Sequence, residues 1–230
     1  MSKTVVILPA YNAGRFLGKV IDDIVALHPD FIPLVIDDGS SDNTADVAEL
    51  HNATLIKHPV NKGKGAALIT GFDFVANNDI DWAFTMDSDG QHLPEELHRF
   101  VKSAAENNLD VVIGTRMDDN ESMPWLRKVT NIFTSWVVSS VSGASIPDSQ
   151  NGYRLFKATS LKNLVLESTN YDLESEILVK LAWSGASIGS VPITTVYGDE
   201  ISSINKTRDT VRFFRLMGKL FVSKHFRSKS

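Results

Sequence analysis

The run Thr4-Val5-Val6-Ile7-Leu8 constrains the fold of this chain more than any other stretch. Four of its five side chains are β-branched, which crowds a helix and suits a pleated strand, and an apolar run this continuous needs cover on both faces, as in a parallel sheet. Pro9 ends it. Residues 33–36, 53–57, 82–86 and 110–116 read as further strands, with segments of helical apolar spacing between most of them. In the first such segment Phe16, Leu17, Val20, Ile21 and Ile24 share a face behind Asn12, a residue type that caps helices. Helices are expected at about 44–50, 66–75, 94–107, 124–141 and 172–184, with a short strand entered from a polar turn at 148–156 and a last strand at 191–197. This alternation predicts an α/β, doubly wound, mostly parallel sheet flanked by helices. Such sheets bind ligands at the carboxyl ends of their strands.

Three of those ends carry polar loops: Pro9-Ala10-Tyr11-Asn12, Asp37-Asp38-Gly39-Ser40-Ser41-Asp42 and Asp87-Ser88-Asp89-Gly90-Gln91-His92. Asp87 and Asp89 stand two apart just beyond a strand, so both carboxylates can converge on one hard cation. Oxygen ligands of this kind suit Mg²⁺ or Mn²⁺, which keep positions open for phosphate oxygens. Taken alone, Asp-x-Asp is also a solvated turn with capping carboxylates, and residues 37–42 alone are an ordinary turn before a helix. His92 reads equally as a ligand or as a loop histidine on the rim. Lys62-Gly63-Lys64-Gly65 is glycine-rich but lacks the Gly-Lys-Ser/Thr ending of a Walker A loop.

A chain of 230 residues with 43% apolar content and no internal repeat favours one continuous domain, with residues 1–203 as its body. The absence of cysteine excludes disulfides and thiolate metal sites. No apolar run reaches bilayer length, and the N-terminal run is too short for a signal peptide, so a cytoplasmic protein is expected. Net charge is −5, but residues 204–230 hold eight Lys or Arg against Asp209 alone, a local +7 that leaves −12 on the first 203. Within this tail Phe213, Phe214, Met217, Leu220 and Phe221 alternate with Arg215 and Lys219. That pattern fits a solvated basic helix or an amphipathic helix on anionic lipid. In residues 124–141, Leu126, Val129, Ile132, Phe133, Trp136 and Val137 recur at helical spacing, which predicts core packing or a surface helix or, given the Trp, a face at a bilayer interface.

The three polar loops, in this order on successive strand ends, resemble the nucleotide-sugar domain of family 2 inverting glycosyltransferases. Gly114-Thr115-Arg116, Asn151-Gly152-Tyr153-Arg154, Val191-Pro192-Ile193 and Arg208-Asp209-Thr210-Val211-Arg212-Phe213 resemble the branch that transfers sugars to polyprenyl phosphates, whose best-known member is dolichol-phosphate mannose synthase. The resemblance covers nearly the whole chain and implies a GT-A-type, Rossmann-like fold. It implies that Pro9 and Tyr11 frame the base and ribose, that Asp38 accepts a hydrogen bond from the base edge with Asp37 beside it, and that Lys64 lies in the phosphate-side loop. Asp87 and Asp89 would hold Mg²⁺ or Mn²⁺ on the diphosphate, and Gln91 would add a metal ligand. Arg116 and Arg127 match arginines that grip the acceptor phosphate, and a basic residue of 206–212 would face the phosphates. Ala13 stands where the branch often has Glu, and the Lys-Gly-Lys-Gly loop matches the wider family better than the mannose synthases.

The implied activity is metal-dependent, inverting transfer of a hexose, of mannose or glucose type, from a GDP- or UDP-sugar to a polyprenyl phosphate. With a hydroxyl acceptor instead, a carboxylate base is needed, and Asp148, Asp172, Glu174 and Glu176 are the candidates by position. A non-catalytic nucleotide-binding or membrane-adaptor protein is the third reading. A membrane surface is a candidate partner and nucleic acid is not; oligomeric state is left open.

Overall fold

The structure, a computed structural model, describes residues 2–116, 125–162, 164–194 and 206–227, and within these the side chains of 126, 127, 206–209 and 224–227 lie outside the description. Seven strands form one sheet: β1 (Thr4–Ala10), β2 (Phe31–Asp37), β3 (Thr54–Lys57), β4 (Trp82–Thr85), β5 (Val111–Thr115), β6 (Arg154–Lys157) and β7 (Ile188–Pro192). Their order is β3-β2-β1-β4-β6-β5-β7. All neighbours pair in parallel except β6, which runs against both β4 and β5. The expected mostly parallel GT-A-type sheet is the fold observed. Its order reverses between β1 and β4, and the crevice for a ligand lies beyond their carboxyl ends.

Alternate residues of β1 supply both cores. Val5 and Ile7 belong to the face covered by α3 (Lys64–Asn77), α5 (Trp125–Ser142), α7 (Leu173–Trp183) and α8 (Lys206–Arg227), with the short α6 (Ala158–Leu161) beside them. Val6 and Leu8 pack on the other face under α1 (Gly14–Leu27), α2 (Thr44–Leu50) and α4 (Leu97–Asn107). A run apolar on both sides of the pleat is what a strand between two helical layers requires.

Three expectations are corrected here. Asn12 does not cap α1: it holds a left-handed backbone with φ 53°, and its Oδ1 accepts the Ser41 N–H at 2.9 Å. The opening amides are satisfied from the neighbouring loop, where Thr44 Oγ1 accepts from Ala13 N–H at 2.8 Å and Asp42 Oδ2 from Gly14 N–H at 3.1 Å. The loops after β1 and β2 are thereby tied together. α3 begins at Lys64 rather than Ala66, so Lys64 projects from a helical first turn. Gly65 is required there, since a Cβ on it would lie 2.4 Å from the Thr169 carbonyl carbon. β7 starts at Ile188, ahead of the expected 191, because its register follows β5 from Val111↔Ile188 to Thr115↔Pro192; residues 195–197 of the expected strand lie outside the described residues.

Candidate active site

β6 brings distant residues to one edge of the sheet. Because it is antiparallel, its first residue, Arg154, pairs with Thr85 at the end of β4 and with Ile113 near the end of β5. The turn 148–153 therefore opens onto the same edge as the loops after β1, β2, β4 and β5. Thr85 Oγ1 donates to the Gly152 carbonyl at 2.7 Å, fixing the turn to the strand that carries Asp87.

Arg154 holds this turn in place. It is 2% exposed and donates from Nε to the Asn151 carbonyl (2.7 Å), from one terminal nitrogen to that of Glu174 (2.6 Å) and from the other to that of Ser149 (2.9 Å). A planar fork matched to three carbonyls sets the spacing of turn and α7 rigidly. Asn151 adds a bond from its amide to the Gly114 carbonyl at 2.6 Å.

Beyond β4, Ser88 donates to the Pro9 carbonyl at 2.9 Å, joining the first and third polar loops. Asp89 Oδ1 accepts the Gln91 N–H at 3.0 Å. Asp87 Oδ1 lies 2.6 Å from Lys64 Nζ, which is also 2.8 Å from Glu174 Oε1. Burial alone would raise the Asp87 pKa, but Lys64, His92 and Arg116 outweigh it and hold the carboxylate down to about 2. The same pairing, against the cost of burial, keeps Lys64 charged. His92 is neither a rim residue nor an exposed ligand: it is 5% exposed, stacked on the Tyr153 ring at 4.8 Å, and its Nδ1 accepts the Asp87 N–H at 3.2 Å. Burial, its largest influence, lowers its pKa and favours the neutral ring this geometry needs.

The expected nucleoside contacts separate into rim and interior. Tyr11 is 51% exposed, and Pro9 is half-buried beside it. Asp37 Oδ1 accepts the Ser40 N–H at 3.0 Å. Asp38 has internal work: its oxygens accept the N–H groups of Lys62 (2.9 Å) and Gly63 (2.7 Å) and meet His58 Nδ1 at 2.7 Å. It fixes the loop immediately before Lys64, and a base-edge contact would have to compete with these partners.

Arg116, expected to grip the acceptor phosphate, is clamped by Asp148, with Nε to Oδ2 and a terminal nitrogen to Oδ1 both at 2.9 Å. Asp148 is fully buried and also accepts from Asn131 of α5 at 2.9 Å. Burial would raise its pKa, but the Arg116 bonds prevail and lower it. A saturated, ionised carboxylate is a poor proton acceptor, so Asp148 drops out as a candidate base. Glu176 drops out too, since it accepts the N–H groups of Glu167 and Ser168 and pairs with Lys180 at 2.6 Å. Glu174 is buried against Lys64, and sequence signalled it only by position. The Arg127 side chain, and those of Lys206 and Arg208, lie outside the described residues.

α5 takes the surface-helix alternative for most of its expected stripe, while Val138 and Val141 enter the core. Asn131, Ser135 and Ser142 are buried, whereas Trp125, Val129, Ile132, Phe133 and Trp136 are exposed, Trp136 by 64%. Phe133 meets Phe214 of α8 with ring centroids 6.2 Å apart, which extends the apolar face onto the second helix. On α8 the expected lipid-facing set divides: Phe213, Met217 and Leu220 join the core, and Phe214 and Phe221 stay exposed. Among the described residues no helix is long and apolar enough to cross a membrane.

The sequence model of glycosyl transferase family 2 matches residues 5–165. The chain belongs to this family. Among its relatives, the UDP-N-acetylglucosamine–dolichyl-phosphate N-acetylglucosaminyltransferase of Methanococcus voltae is 32% identical over 213 residues, 83% of this chain and 84% of that one. The polyprenol monophosphomannose synthase of Mycolicibacterium smegmatis is 31% identical, covering 84% and 77%. In fold, the family 2 chain matches glucosyl-3-phosphoglycerate synthase from Mycobacterium tuberculosis, solved with Mn²⁺, UDP and phosphoglyceric acid, with a TM-score of 0.73 and 18% identity over 96% of this chain and 78% of that one. Mannosyl-3-phosphoglycerate synthase from Rubrobacter xylanophilus gives a TM-score of 0.71 and 19% identity over 99% and 75%.

Proposed function

We propose that this family 2 glycosyltransferase moves a hexose or hexose derivative, with inversion, from a nucleoside diphosphate to a polyprenyl phosphate at a membrane surface. One observation carries the reading: Arg116 is oriented through Asp148 by the inner side of α5, the helix whose outer side is a bare Trp- and Phe-bearing face. An anion-binding group and a lipid-compatible surface thus share one helix. The relatives that act on dolichyl and polyprenol phosphates support the same acceptor class.

No three His, Cys, Asp or Glu side chains among the described residues gather into a metal site of their own. The oxygen donors Asp87, Asp89 and Gln91 suit Mg²⁺ or Mn²⁺ that shares its coordination with a diphosphate, and Gly152 keeps a side chain away from Asp87 Oδ1, which a Cβ there would approach to 3.3 Å. Held there, such an ion supplies charge compensation to the leaving diphosphate. Tyr11 and Pro9 border the nucleoside, and Lys64 faces the diphosphate from the first turn of α3. Arg116 holds the acceptor phosphate for attack on the opposite face of the anomeric carbon. A phosphate acceptor is already an anion, so no base is required. That agrees with the engagement of Asp148 and Glu176 in structural bonds.

The test is incubation with labelled UDP- and GDP-sugars, Mn²⁺ and either polyprenyl phosphate or soluble hydroxyl acceptors. Label is expected in the lipid phosphate; label only in a hydroxyl product would replace this reading with one that needs a base.

A further inference from the structure

Three charged atoms from three separate elements meet over one glycine. A Cβ on Gly152 would lie 3.0 Å from Glu174 Oε1, 3.1 Å from Lys64 Nζ and 3.3 Å from Asp87 Oδ1. Two carboxylates therefore share one ammonium, 2.6 Å from Asp87 and 2.8 Å from Glu174. Glu174 is 8% exposed, and the Lys64 ammonium 2.8 Å from its Oε1 is the charged group in direct contact with it. Arg154, close by, spends its Nε and both terminal nitrogens on carbonyl oxygens.

An ammonium 2.6 Å from Oδ1 takes one of the lone pairs of Asp87 and sets a positive charge beside the rest. A divalent ion arriving alone meets that repulsion and binds best when Lys64 moves off toward Glu174. An ion arriving with a diphosphate brings anionic oxygens that take Lys64 over. We propose that Glu174 is a positioning residue that holds Lys64 beside Asp87 in the ligand-free enzyme. Lys64 is then a built-in competitor of the divalent ion, and metal and donor diphosphate enter together. This deepens the proposed function and rests on its assignment of Asp87 as a metal ligand.

The competition has a sign that mere structural support lacks. Mn²⁺ binding is read from the electron paramagnetic signal of the free ion, first without nucleotide and then with UDP or GDP. Lys64→Met is expected to bind Mn²⁺ alone roughly tenfold more tightly than the wild type, while its affinity for UDP or GDP in the presence of Mn²⁺ falls by about as much. Glu174→Gln leaves Lys64 on Asp87 alone, so Mn²⁺ binding without nucleotide weakens several-fold and the donor KM rises more than kcat falls.

General damage to the site would weaken both ligands in Lys64→Met, where the competition predicts opposite signs. Absence of tighter Mn²⁺ binding in Lys64→Met overturns the competition, and this arm is decisive even where Gln is not tolerated at 174. Unchanged Mn²⁺ affinity and donor KM in a folded Glu174→Gln protein overturn the positioning role. If the wild type binds no Mn²⁺ with either nucleotide, the assignment of Asp87 fails and the inference falls with it. If Mn²⁺ binds but the variants do not split in sign, only the inference fails.

Discussion

Helices α1 and α5 both carry apolar stripes, and they use them in opposite ways. α1 buries Leu17, Val20, Ile21 and Ile24 on the sheet. α5 turns Val129, Ile132, Phe133 and Trp136 outward and buries Asn131 and Ser135. The reason is local. The inner side of α5 faces the polar turn 148–153, where Asn131 meets Asp148 and Ser135 Oγ accepts the Ser149 N–H at 2.9 Å. Periodicity reveals a stripe, but what covers the stripe depends on what the rest of the chain brings opposite.

Four measurements break or sharpen this contrast. Removing the polar anchor under α5 is expected to have the largest effect: Asp148→Ala removes the buried carboxylate that Arg116 and Asn131 share and should cost about 4 kcal/mol in urea denaturation, with transfer to polyprenyl phosphate lost. Ile21→Ala, on the covered stripe of α1, should cost about 3 kcal/mol with little change in donor KM. A comparable cost from the exposed α5 positions would erase the distinction between the helices.

The third concerns pH. Burial raises the Asp148 pKa and the Arg116 bonds lower it further than that, so the folded value lies below the usual one. As pH falls, the unfolded chain takes up the proton first, so this contribution is complete above about pH 4 and is lost as pH drops through the depressed folded value. The thermal midpoint should therefore fall more steeply below about pH 4 in the wild type than in Asp148→Asn. The smallest stability effect, within about 0.5 kcal/mol, is expected for Ile132→Ser and Trp136→Ser. Both should reduce co-sedimentation with anionic vesicles several-fold. Lipid-independent self-association lost in the same variants would instead mean that a second copy covers the face.

The parallel half of the sheet was legible because its strands are apolar on both faces and its helices bury their stripes. β1, β2, β4 and β5 fall within a few residues of expectation, and α2 coincides with it. What sequence concealed depends on partners far along the chain. The α1 amides are satisfied by Asp42 and Thr44, so the capping character of Asn12 misled. The first three residues of β7, Ile188-Gly189-Ser190, look unlike a strand; Gly189 is there because a Cβ would stand 2.4 Å from Leu109 Cδ1. In the site, the loops holding Pro9, Tyr11, Asp37, Asp87 and Asp89 were visible as strand ends. The burial of Glu174 was not, since it follows from Lys64, which belongs to a different helix.

The reversed strand β6 has one more consequence. β5 and β6 are antiparallel neighbours, so the described residues between them, α5 included, depart from one edge of the sheet and return to it. In topological terms the side proposed for the acceptor is the overgrown loop of a single hairpin. Lengthening such a loop raises the entropy of closing it only slowly. Residues 116–153 are thus the natural unit of exchange: replacing them, with Gly152 kept, by the matching segment of another family member should redirect the acceptor and leave donor affinity unchanged.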